Sequence, residues 1–267
     1  MPNTSNERPG HLEPSKLGTK EYWDTLYTNE LLNHAADPSD IGTIWFDDSD
    51  AEDKIVQFLS DLSDPSSASS TILSRDTTSF LDLGCGNGSL LFALRGDGWS
   101  GRALGVDFSP RSIAFANQIS ASKAQGGQLP VPVEFCQWDI IAGPLNMVIL
   151  DGTDAQGWDV VLDKGTFDAI SLSEDKDSLG RRLCEAYPER ILQLVRDEGI
   201  FLVTSCNWTE EELEKWFTLE RVCPPSQKGP EKVSRLEVVG KIRYRTFNFG
   251  GAQGQTISTL CLKKTRQ

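Results

Sequence analysis

Histidine is almost missing from these 267 residues: His11 and His34 are the only two. The six cysteines, Cys85, Cys136, Cys184, Cys206, Cys223 and Cys261, are scattered and form no CxxC pair. These two shortages argue against a zinc site, which needs clustered imidazole and thiolate donors. They leave buried free thiols in a reducing compartment as the reading of the cysteines. No run approaches 18 apolar residues, so no membrane span is expected. Residues 1–8 lack the apolar core of a signal peptide, and the expected location is the cytoplasm. Basic residues are short as well, 26 against 39 acids, for a formal net charge of -13. That balance disfavours a nucleic-acid backbone as main partner and favours a neutral or basic one.

What is present is organised around residues 78–90. Phe80, Leu81 and Leu83 form a short apolar strand, Gly84-Cys85-Gly86-Asn87-Gly88 a turn, and Ser89 to Leu94 the start of a helix. Alternate glycines remove side chains from the turn, and the helix behind it aims free N–H groups at whatever the turn holds.

Residues 1–15, rich in Pro, Asn, Ser and Glu, are expected to be disordered. Residues 16–77 read as a helical and acidic extension packed on the core, and 78–267 as the main domain of a single-domain chain. Thr19 caps a helix whose apolar positions are Tyr22, Trp23, Leu26, Tyr27 and Leu31. Two readings of it stand: a helix packed on the core, or an aromatic lid over a cleft. Nine acids against one base, Lys54, mark residues 37–64 as a solvated face or a docking surface for a basic partner. Ser49 and Glu52 there make a capping-box pattern, as do Thr209 and Glu212 further on.

Apolar runs at 78–83, 103–107, 131–136, 158–163 and 200–206 alternate with helical patterns. One helix is capped by Ser109 with Pro110 at its first position. Another helical region runs from about Leu179 and is interrupted at Pro188. Residues from Arg221 onward carry strands but no clear helix. The expected fold is α/β: a Rossmann-like, doubly wound, seven-stranded sheet, mostly parallel, with a C-terminal antiparallel hairpin.

In such a sheet ligands sit beyond the carboxyl ends of the strands. NAD(P), ATP and S-adenosylmethionine are the candidates. No G-x-x-x-x-G-K-[ST] is present for ATP, and the dinucleotide pattern fails because position 89 is Ser89. Asp107 ends the second strand, placed for ribose hydroxyls. Asp139 follows the third strand, placed for an adenine amine, and Asp82 is placed for an ammonium group. That set suits an adenosine carrying an amino-acid tail and a sulfonium, which is S-adenosylmethionine.

Leu81-Asp82-Leu83-Gly84-Cys85-Gly86-Asn87-Gly88 resembles motif I of the seven-strand S-adenosylmethionine-dependent methyltransferases. Three further stretches resemble the fungal protein-lysine methyltransferases of translation elongation factor 1-alpha. They are Leu17 to Asp24, Ile44-Trp45-Phe46, and Asp159 to Asp168 around Asp163-Lys164-Gly165-Thr166. The resemblance implies a class I methyltransferase domain over 78–267, with the elongation factor as protein substrate of a monomeric enzyme. It implies cofactor contacts from Trp23, Asp82, Gly84, Cys85, Gly86, Gly88, Asp107, Phe108, Asp139, Ile140 and Asp163. It implies catalytic roles for Asp163, Phe167 and Asp168, with Tyr22 and Trp23 as further walls of a lysine channel. Lys164 reads as a structural ion pair. The [ND]-P-P-[YFW] signature of enzymes that methylate planar amines is absent from the fourth strand. The basic insert at 226–240 and the serine-rich stretch at 64–71 depart from the family pattern. A small-molecule methyltransferase, or a cofactor-binding protein without catalysis, are the alternative readings.

Overall fold

The computed structural model describes residues 7–66, 73–149, 156–219, 234–249 and 252–266. Most of the serine-rich stretch, the loop at 151–155, Cys223 and most of the basic insert lie outside these residues, as do residues 1–6. From residue 7 to 15 the chain has neither helix nor strand. It is nonetheless held, with Leu12 O accepting from Arg182 Nη1 (2.8 Å) and Ser15 N donating to Leu172 O (3.1 Å).

Two helices precede the sheet: α1 (Lys20–Ala36) and α2 (Ala51–Leu62). Thr19 Oγ1 caps α1 by accepting from Tyr22 N. The capping box expected at Ser49 and Glu52 does not form. Asp50 precedes α2 with φ of 53° and no side-chain cap. Ser49 Oγ is bonded instead to Thr256 Oγ1 at 2.8 Å, and Glu52 turns to tertiary partners described below.

The alternation then runs β1 (Phe80–Leu83), α3 (Ser89–Gly96), β2 (Ala103–Asp107), α4 (Pro110–Gln125), β3 (Glu134–Gln137), β4 (Trp158–Lys164). It continues with α5 (Thr166–Ser171), α6 (Leu183–Leu194), β5 (Val195–Ser205) and α7 (Glu210–Thr218). Ser109 caps α4 with Pro110 inside its first turn, and Thr209 and Glu212 close a capping box on α7. Helix α6 runs through Pro188 rather than restarting there, and β5 begins at Val195, because Trp158 pairs with Val195 before a bulge. The six-residue α5 is too short to leave a periodic pattern in the sequence.

The chain ends in β6 (Ser234–Ile242), β7 (Thr246–Phe249), β8 (Ala252–Gln255) and β9 (Ser258–Arg266). Seven strands form one sheet in the order β3-β2-β1-β4-β5-β9-β6, while β7 and β8 form a separate ribbon. The first five are parallel; β9 is antiparallel to β5 and β6 to β9. This is the expected doubly wound sheet closed by an antiparallel hairpin. Its order reverses beside β1, where β1 lies between β2 and β4, so the ligand crevice falls at the end of β1. Buried apolar side chains form a core on each face. One includes Phe167, Tyr187, Trp208 and Trp216; the other includes Tyr27, Ile55, Leu91 and Phe115. Among the described residues no helix is long and apolar enough to cross a membrane.

Candidate active site

The loops after β1 and β2 are joined by one carboxylate. Asp107, buried, accepts from Gly86 N (3.2 Å), Ser109 N (2.9 Å) and Ser112 Oγ (2.8 Å). Ser112 Oγ also lies 2.8 Å from Gly86 O, so the turn is held from both sides. Burial raises the Asp107 pKa above the usual carboxylate value, opposed by these three donors.

Gly84 and Gly86 both take positive φ, 62° and 56°. A Cβ at Gly84 would collide with Thr166 Oγ1, and one at Gly86 would stand 2.7 Å from Tyr27 Oη. The glycines, expected to make room for a ligand, thus also make room for two of the chain's own side chains.

The amino end of α3 is already served by protein acceptors. Asn87 Oδ1 accepts from Ser89 N (3.0 Å), and Ser89 Oγ donates to Glu52 Oε1 (2.5 Å). Glu52 pairs with Lys164 Nζ (3.4 Å), which also donates to Trp45 O (3.1 Å). Asn87 Nδ2 reaches Ile41 O at 2.8 Å. A helix start of this kind is where a pyrophosphate binds. Here a side-chain carboxylate stands at that place, which argues against a dinucleotide.

Two polar side chains beside the turn make no hydrogen bond among the described residues. The Asp82 carboxylate, 4% exposed, makes no hydrogen bond among the described residues. Burial raises its pKa to about 8, against the downward pull of Lys164 and with Glu52 and Asp163 adding to the rise. The Tyr27 hydroxyl, on a side chain 7% exposed, is likewise unpartnered among the described residues. An aromatic cluster lies beside it. Trp23 stacks on Tyr27 (6.3 Å between centroids), touches Trp45 (5.4 Å) and Tyr22 (5.2 Å), and donates from Nε1 to Leu17 O. Unmet acceptor and donor capacity beside a turn without a free phosphate seat fits a nucleoside that carries a charged amino-acid tail.

A model of the methyltransferase domain matches residues 74–251, more than half of the chain. The chain belongs to the methyltransferase-domain family. It is similar to protein-lysine N-methyltransferase EFM4 of Saccharomyces cerevisiae, 37% identical over 95% of this chain and 96% of that one. The Schizosaccharomyces pombe protein of the same name is 40% identical over 78% and 82%. EEF1A lysine methyltransferase 2 of Homo sapiens is 31% identical over 94% and 88%.

In this methyltransferase the family match begins after α1 and α2. Trp23, Tyr27, Trp45 and Glu52 therefore come to the site from outside the matched segment. Of the motif I residues, Gly86 meets Asp107 through its amide and lies under Tyr27, on which Trp23 stacks, while Gly84 lies against Thr166 and Gly88 against Phe135. Cys85 is buried, and burial raises its thiol pKa well above the usual value. Phe108 is half-buried beside Lys20, whose Nζ lies 5.5 Å from the ring centroid. Asp139 is exposed, and its Oδ1 closes a local turn by accepting from Ile141 N and Ala142 N. Ile140 is buried and its carbonyl accepts from Arg190 Nε.

The three residues expected to be catalytic point inward instead. Asp163 is 1% exposed and its oxygens accept from Thr166 N, Phe167 N and Tyr187 Oη (2.6 Å). It caps α5, which does not fit a carboxylate orienting a substrate ammonium. Asp168 is held by Ser205 Oγ and Cys206 N, tying α5 to the end of β5. Phe167 is 0% exposed, packed against Tyr187, Trp208, Trp216 and Phe217. It is core rather than channel wall. Reasoning from sequence missed Tyr27 and Glu52. The signal for Tyr27 was its place four residues after Trp23; for Glu52 the local capping pattern pointed elsewhere.

Burial also raises the Asp163 pKa, to about 7. A carboxyl whose folded pKa lies above its unfolded value of roughly 4 stabilises the fold fully below that value. The contribution is lost as pH rises through the folded pKa. For Asp82 and Asp163 the loss spans pH 4 to 8. Urea melts should give lower stability at pH 8 than at pH 5. Asp82→Asn, neutral at both, should show a smaller drop; a drop as large as wild type would contradict the burial of Asp82 in its neutral form.

Proposed function

We propose that this chain is an S-adenosylmethionine-dependent protein-lysine N-methyltransferase acting on translation elongation factor 1-alpha. One observation carries the reading: two relatives 37% and 40% identical are named protein-lysine N-methyltransferases and a third, 31% identical, an EEF1A lysine methyltransferase, each over most of both chains. The site geometry supports it. Asp82, held neutral by burial in the free protein, ionises to meet the cofactor ammonium. Asp107 Oδ1, with one hydrogen bond made, keeps capacity for a ribose hydroxyl. We assign Asp139 to the adenine amine, with Phe108 and Ile140 as neighbours of the base.

When bound, the cofactor supplies a methyl group already activated by its sulfonium. The chain's own work is then to position and to exclude water. The incoming lysine must be neutral, although its free pKa is about 10.4. Trp23, Trp45 and Phe46 offer apolar walls that disfavour the ammonium form. Asp47, Asp48 and Asp50, exposed next to Phe46, offer charge to a basic surface around the target. The reading includes the cytoplasm as compartment, in keeping with five unpaired cysteines among the described residues.

The test is incubation with methyl-labelled cofactor and the purified elongation factor, with lysine-to-arginine variants of the factor as controls. Label should enter the factor and vanish in one variant. Label in a small molecule, with none in the factor, would overturn the substrate assignment.

A further inference from the structure

The Tyr27 hydroxyl is oriented by its surroundings and used by none of them. Tyr27 is on the buried side of α1 with Glu30 and His34. Glu30 is occupied by Thr43, through its amide and hydroxyl, and His34 Nδ1 by Asp40 O at 2.7 Å. Tyr27 alone of the three makes no hydrogen bond among the described residues. Its ring is held against Trp23, and its oxygen stands over Gly86, where any side chain would displace it. Unlike the Trp45 indole N–H, the hydroxyl is not sealed from solvent, so it opens on the space above the glycine turn, where a ligand atom can take the place of water.

The charges around it decide which atom. Asp107 and Asp82 both act on the Tyr27 hydroxyl, and burial together with these acids holds its pKa well above the usual value. It is therefore a hydrogen-bond donor at any physiological pH. Two acids at the turn suit an amine and ribose hydroxyls, and neither suits a carboxylate. Lys164, the cation acting on Asp82, already has its ammonium between Glu52 and Trp45 O. The tail of S-adenosylmethionine brings one carboxylate that these groups leave unmet.

We infer that Tyr27 is a cofactor-binding residue whose hydroxyl donates to the α-carboxylate of the amino-acid tail. The inference rests on the S-adenosylmethionine reading above but not on the protein substrate. It also gives α1, which lies outside the matched family segment, a direct part in cofactor recognition, so the aromatic helix is more than packing.

The experiment is calorimetric titration of wild type and Tyr27→Phe with S-adenosylhomocysteine and with its decarboxylated analogue, which keeps the amine. For S-adenosylhomocysteine the variant should bind about tenfold or more weakly, the size of a charge-assisted hydrogen bond. For the decarboxylated analogue the two proteins should bind within about twofold of each other. Unfolding midpoints without ligand should match, since the hydroxyl has no hydrogen-bond partner among the described residues. Equal weakening for both ligands, or none for either, would overturn the assignment. Wild-type protein that binds neither ligand would overturn the cofactor reading itself, whatever Tyr27 does.

Discussion

Phe167→Ala should cost about 3–5 kcal/mol of stability, lowering the melting midpoint by roughly 10 °C in a chain of this size. The side chain is fully buried, with ring contacts to Tyr187, Trp208, Trp216 and Phe217 at 5.0–6.1 Å between centroids. Removing it leaves a cavity that four buried aromatic neighbours, on α6, on α7 and just before α7, cannot collapse into. Phe167→Leu, which keeps most of the volume, should lose far less. It should also keep turnover per folded molecule close to wild type. These two variants separate core from catalysis. Turnover lost in the leucine variant, with the melting midpoint unchanged, would return Phe167 to the substrate channel.

Asp107→Ala should weaken cofactor binding by more than tenfold and destabilise the free protein as well. The first effect comes from lost ribose hydrogen bonds, worth roughly 1.5–3 kcal/mol when one partner is charged. The second follows from its partners: Gly86 N, Ser109 N and Ser112 Oγ would lose their acceptor in a buried place. Each unpaired group costs about 1–3 kcal/mol before relaxation. Calorimetric titration with S-adenosylhomocysteine and a urea melt read the two effects apart. A large loss of stability with unchanged affinity would make Asp107 a brace for the glycine turn and nothing more.

The double demand on Asp107 explains why part of this site could be read from the sequence. A carboxylate at the end of the second strand is a local signal, as are Ser109 before Pro110 and the Thr209–Glu212 box. Each depends on neighbours in the chain, and the structure has all three in place. Glu52 shows the opposite case. Its local pattern with Ser49 offers a capping box worth about 1 kcal/mol, but Ser89 and Lys164 offer a part-buried hydrogen bond and an ion pair. The tertiary partners win, and no window of sequence around Glu52 contains them. Asp163 and Asp168 were misread for a related reason. A carboxylate at a strand end looks the same in sequence whether it faces a cleft or caps a short helix. Only α5, six residues long and without periodicity, decides between the two. Tyr27 was legible as an aromatic on a helix face, and its hydroxyl over Gly86 was not, because two distant segments must dock before that contact exists.

Mass spectrometry of elongation factor 1-alpha from cells that lack this protein, and from the same cells given it back, bears on substrate and chemistry together. Restoring the wild-type chain should return methyl groups to one lysine of the factor, and restoring Asp107→Ala should not. A factor with the same methylation in all three cell lines would contradict the assignment.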